Sequence, residues 1–283
     1  MKKNLAAAVL IFVFKLSSAQ ELLTKKGAHI LPEPKDWSIG VQADPLLNYF
    51  GNLFSEDQNT TSELKPLIPL TLVGLYVKDE ITAYRMKFRL GLGTRTLNNF
   101  VDDDSYVGLP PSAKTTDTWK HSYTQITIGA GLQQSRGKGR LKGIYGVDLG
   151  FGYGSSTDSY TYGNPFTSDI SDPTSTTDWT QTDTTGNFIN GPTPSRTSQI
   201  KNPKNFAFTL STFLGAEYFF APKISLSAEY GFGFVLTANG ERETFTVSDD
   251  NNSGKETSTR NAKSSEFSLD VRDIGAIALH LYF

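Results

Sequence analysis

The chain of 283 residues contains no cysteine. Disulfides, zinc–thiolate centres and cysteine nucleophiles are therefore excluded, and the fold must hold without covalent staples. Long apolar runs are missing as well. After the first stretch of the chain none approaches the roughly twenty residues that a membrane-spanning helix needs. Strong charge of one sign is also absent: the formal net charge is −2, with no basic stripe of the kind that binds nucleic acid, so no nucleic-acid partner is expected. Histidine is limited to His29, His121 and His280.

The N-terminal stretch has Lys2 and Lys3, an apolar run from Leu5 to Phe14, and then Ser17-Ser18-Ala19. That layout predicts a cleavable signal peptide over residues 1–19, with Gln20 as the first mature residue. Its apolar run is too short to anchor a helix in a bilayer. Cleavage removes three lysines and no acid, leaving 24 basic against 29 acidic residues, a net charge of −5. Mean hydropathy is −0.32. Both a soluble globule and a transmembrane barrel fit that value, because barrel strands alternate and are not greasy on average.

Alternation with period two is the dominant pattern, in segments of about ten residues. In the last segment Phe267, Leu269, Val271, Gly275, Ile277, Leu279, Leu281 and Phe283 share one parity, with Asp273 out of place. Glu266, Ser268, Asp270, Arg272, Ala276, Ala278, His280 and Tyr282 share the other. Thr82 to Thr94 sets Tyr84, Met86, Phe88, Leu90 and Leu92 against Arg85, Lys87, Arg89, Gly91 and Gly93. Similar stretches start near Trp37, Ile126, Leu141, Phe206 and Ile224, while Leu70 to Val77 is apolar on both parities. Short turns are expected at 78–80, 135–140 and 221–223, and long polar loops at about 46–66, 97–119, 157–203 and 247–262. Turns on one side and loops on the other predict an all-β, antiparallel, up-and-down transmembrane barrel of eight strands, with both termini periplasmic. An extra hairpin within 157–203 would raise the strand number to ten. Several alternating stretches exceed the roughly ten residues of a crossing, so the sheet is expected to rise above the membrane on the loop side.

The chain ends in Leu281-Tyr282-Phe283 behind an alternating apolar strand, which resembles the C-terminal assembly signal of outer-membrane proteins. Residues 36–283 resemble the small OmpA/OmpX-type barrels, and Trp37 to Phe54, the Lys78-Asp79-Glu80 turn and Ala83-Tyr84-Arg85 are similar to the outer-membrane β-barrel family of Bacteroidota. The resemblance implies a location in the cell outer membrane, with membrane lipid and the barrel-assembly machinery as partners and an envelope protein complex as a further one. It transfers no catalytic residue. Residues 20–35 are read as a periplasmic N-terminal segment.

An eight-stranded barrel has an interior just wide enough for side chains to fill. Arg85, Lys87 and Arg89 are therefore expected to pair across it with Asp148, Glu217, Glu229 and Asp270, alongside Arg272, because buried charges survive only when paired. A narrow pore is the alternative. The glycines at 150, 152, 154, 231 and 233 lack the strand–turn–helix context of a phosphate loop and read as small inward residues. His121 beside Ser122 lies where a rim enzyme acting on lipid A would carry its base, but the two side chains should point to opposite faces and no orienting acid is visible. Asp102-Asp103-Asp104 and Asp249-Asp250-Asn251-Asn252 lack calcium-loop spacing. No catalytic, cofactor or metal site is assigned. The segment from Ser155 to Asn202 cannot build its own core and should be mobile unless it folds over the barrel mouth or meets a partner. Asp183-Thr184-Thr185 resembles a short O-glycosylation pattern. Tyr76, Tyr84, Tyr145, Tyr218, Phe219, Phe220, Tyr282 and Phe283 are expected to sit at the membrane interface, and Gly275 to Ala278 to form a smooth packing patch. The expected role is structural or interactive, carried by the surface loops, with a transporter or channel as the second possibility and a rim enzyme as the third.

Overall fold

Branched and aromatic side chains alternating with small or polar ones suit a pleated strand, which sends successive residues to opposite faces. A computed structural model describes residues 27, 29–43, 70–108, 113–137, 139–183, 186–250, 253–270 and 275–283. Residues 1–19, expected as a signal peptide, Arg272 and the Thr184-Thr185 pair lie outside them. Fourteen strands are found among the described residues: β1 (Trp37–Ala43), β2 (Leu70–Val77), β3 (Thr82–Asp102), β4 (Lys114–Arg136), β5 (Leu141–Thr161), β6 (Thr174–Thr182), β7 (Phe188–Pro192), β8 (Ser195–Lys201), β9 (Asn205–Ala221), β10 (Ile224–Asn239), β11 (Arg242–Asp250), β12 (Ser253–Asn261), β13 (Ser264–Asp270) and β14 (Gly275–Tyr282). The architecture is all-β and antiparallel, as the alternation predicts.

Eight strands close into a ring in the order β1-β2-β3-β4-β5-β9-β10-β14, with β14 returning to β1. At the seam Ser38 lies opposite Tyr282 and Val41 opposite Leu279, and Trp37 and Phe283 exchange backbone hydrogen bonds of 3.0 and 2.9 Å. Closure leaves no strand edge in this part of the sheet, which is the general remedy for exposed backbone groups.

One end of the ring carries tight turns. Asp79 accepts the backbone N–H groups of Ile81 and Thr82 at 2.9 and 2.8 Å, which holds its carboxyl below the usual carboxylate range. Pro222-Lys223 joins β9 to β10, with Lys223 at φ 57°.

At the opposite end the strands outrun the alternation. β3 and β4 stay paired from Thr82↔Gln134 to Asp102↔Lys114. Above the ring β8 continues the path of β9 and pairs with β5, β11 continues β10 and pairs with β8, and β12 lies against β11. Most of the segments expected as long loops at 97–119, 157–203 and 247–262 are therefore strand. The reason is physical: with polar surroundings on both faces the apolar rhythm disappears, while threonine-rich hairpins still satisfy their backbones by ladder pairing. β6 and β7 form a separate two-stranded sheet.

Candidate functional site

The interior is best followed from the turn end upward. Ile30, in the segment before β1, is fully buried with Leu75, Val77, Phe219 and Tyr282, and Leu31 packs against them. The ring thus receives its own N-terminal segment as an apolar cork. Ile30 C=O accepts the Lys223 N–H at 2.9 Å, and the Lys223 ammonium reaches Asp36 at 2.8 Å. The double apolar character of β2 has its explanation here, since Leu75 and Val77 face the cork and Val73 is buried on the same face, while Leu72 is exposed on the outer wall. Phe219 and Tyr282 are corrected by the same packing: both point inward and are buried, away from any interface. Ala276 and Ala278 also face inward, so they form no outer patch.

Above the cork, Glu217 accepts hydrogen bonds from the hydroxyls of Ser225 and Tyr282. Its bonds come from hydroxyls where the sequence suggested a cation.

The next layer carries the ion pairs. Arg85 is 2% exposed. Its guanidinium meets Glu229 at 2.6 Å, Asp148 at 3.7 Å and Gln133 Oε1 at 3.4 Å, and lies 4.2 Å from the centre of the Phe213 ring. Lys87 joins Asp148 at 2.7 Å. Such a cluster tolerates burial only because every charge has an opposite neighbour. Of the expected network, Arg85, Lys87, Asp148 and Glu229 come together. Arg89 occupies the same inward parity one step further along β3; the side chain of Asp270 and the whole of Arg272 fall outside the described residues. Gln133 and Phe213 were missed, although both have inward parity. A neutral amide and an aromatic ring give no charge signal to read.

Beyond the ion pairs the lumen widens into a cavity of about 760 Å³. On β4, Trp119, His121 and Tyr123 share the inward parity, with ring centres 6.0 and 6.1 Å apart. Asp158 of β5 lies opposite His121. Its carboxylate contacts His121 Nδ1 at 2.7 Å and accepts bonds from Trp119 Nε1 at 3.1 Å and Asn202 Nδ2 at 2.8 Å. An orienting acid for His121 therefore exists, 37 residues away in sequence. Ser122 points to the other face and bonds Thr94 at 3.3 Å.

The top is covered by the segment between β5 and β8. Asp117, fully buried, accepts bonds from Gly163 N, Thr176 N and Thr176 Oγ1 at 2.8, 2.6 and 3.0 Å. Asn164 donates to Asp102 C=O and Thr174 C=O, both at 2.8 Å. Asn99 bonds Thr176 and Phe188. Arg196 lies 4.4 Å from the ring centre of Tyr162 and 4.6 Å from that of Phe166, and burial pushes the Tyr162 hydroxyl well above its ordinary value. The polar segment thus folds over the mouth, which was the stated exception to its mobility. The acidic run at 102–104 is turned onto protein donors: Asp102 meets Lys114 at 2.6 Å, Asp103 holds Ser105, and Asp104 accepts Thr174 N at 2.6 Å. No family model, curated protein or solved structure matches the chain.

Proposed function

We propose that the chain is an outer-membrane β-barrel protein of structural or interaction role, held in lipid by the ring and presenting its capped end outside. One observation carries this reading. The outer wall of the ring is apolar all round, with Ile39, Leu72, Met86, Leu92, Ile128, Leu149, Leu214, Tyr230 and Leu281 all exposed. Soluble monomers rarely expose contiguous apolar patches beyond a few hundred Å².

The height of the band supports the same reading. On β3 it runs from Tyr84 to Leu92 and on β10 from Leu226 to Leu236, close to the roughly 9–11 residues of a tilted crossing. Past it the outward positions become Thr94, Thr96 and Asn98. Trp37, Tyr76 and Tyr84 lie side by side at the turn end, their ring centres 4.8 and 6.3 Å apart, as in an interfacial girdle. The ion-paired layer favours anchoring over conduction. In this orientation the turns are periplasmic.

The test is gel mobility of protein extracted from outer membranes. A faster-migrating unboiled band is expected; absence of a shift together with ready aqueous solubility would overturn the membrane assignment. No current is expected across a planar bilayer.

A further inference from the structure

The cavity above the ion pairs differs from the layer beneath it in kind. Among the described residues, none of those lining it is Asp, Glu, Lys or Arg. Tyr123, Gln125, Thr127, Thr209, Asn239 and Ser264 supply hydroxyls and amides from four walls. Gly152 and Gly154 of β5 open it further, and a Cβ at Gly154 would meet nothing within 4 Å. Two inward rings, His121 and Tyr123, stand along one side. The Tyr123 ring rests against Gly93, in space that any Cβ there would take. Asp158, behind the lining residue His121, is engaged by His121, Trp119 and Asn202 and fixes the imidazole in place.

We propose that this half of the lumen is a binding cup for a neutral polyhydroxylated ligand, in chemical class a short oligosaccharide. Aromatic rings accept the apolar C–H face of a sugar, while hydroxyls and amides, which both donate and accept, match its hydroxyl groups. The volume falls within the ~300–1,000 Å³ of small-molecule sites. A charged ligand would lose its hydration against a described lining of hydroxyls, amides and rings, which repays a neutral polar group better than an ion. The ion-paired layer closes the cup below, so the site retains a ligand instead of passing it. The proposal rests on the ring and its interior and goes beyond the membrane assignment, which the gel reads separately.

The experiment is calorimetric titration of the folded full chain in detergent with maltotriose, chitotriose and, as the anionic counterpart, trigalacturonate. Saturable binding of at least one neutral sugar is expected, with trigalacturonate at least tenfold weaker. Gly154→Leu, which fills the cup from a position with free space, should weaken binding more than tenfold while the unboiled gel band is retained. Tyr123→Ala should weaken it similarly, and Tyr123→Phe should restore most of the affinity. The proposal is overturned if neither neutral sugar binds at millimolar concentration, if Gly154→Leu binds as the parent does, or if the anionic sugar binds equally well.

Discussion

In the turn-end half of the ring, Arg85, Lys87, Asp148 and Glu229 neutralise one another above an apolar cork. In the loop-end half the described cavity wall carries no Asp, Glu, Lys or Arg, and further up a hairpin is held through Asp117, Asn164 and Asn99. The first arrangement fills its volume with side chains that satisfy each other. The second leaves volume open and spends its polar contacts on the cover. A single ring can therefore combine a rigid base with a receptive top, because each inward position is chosen independently of the outward residue beside it.

The largest effect is expected from breaking the base. Arg85→Ala would leave Glu229 buried without its cation and Asp148 with Lys87 alone, a loss of about 3–5 kcal/mol. Denaturant unfolding of the whole ring should show it, and an unchanged midpoint would mean that water already reaches this layer. A smaller and local effect is expected at the top. Asp117→Ala removes the acceptor for three cap bonds, and an unsatisfied buried donor costs about 1–3 kcal/mol. Amide exchange should quicken at Gly163 and Thr176 while the β9–β10 ladder stays protected; equal acceleration in both would show that the halves are coupled.

The smallest effect is set by pH and sharpens the same division. Asp103 and Asp178 are held below the usual carboxylate value of 3.8 by the hydroxyl and backbone N–H of Ser105 and of Thr180. Because the folded values are depressed, their stabilisation is complete above the unfolded value and disappears as pH falls through the folded one. Both groups are half-buried at turns of the upper part, so only these turns should loosen below about pH 4. Exchange measured across that range should leave the cork unchanged.

The lower part of this arrangement was readable from sequence because outward and inward residues differ in polarity, so Arg85, Lys87, Asp148 and Glu229 announce their face. Phe219 and Tyr282 misled because aromatic character alone does not choose a face; their parity with Glu217 and His280 does. Ile30 left no signal, since nothing local marks a lone apolar residue as a cork. The cap was unreadable for a different reason. Asp117, Asp158 and Asn164 act through partners distant in sequence, and a Thr/Ser/Asn-rich segment looks the same whether it folds onto a neighbour or not. The alternation also underestimated strand length, because it reports a contrast between faces and not the ladder itself.

The seam between β1 and β14 joins residues 38–43 to residues 277–282, a separation nearly as long as the chain. Contacts so remote are formed late, since the loop they close costs the most entropy before any pairing rewards it. Until then β1 and β14 each carry an open edge, a template for pairing with another chain. Closing the ring is thus the slow and vulnerable moment in the life of the molecule. A nascent copy shielded at those two edges should reach the folded form, and one left unshielded should be drawn toward self-association.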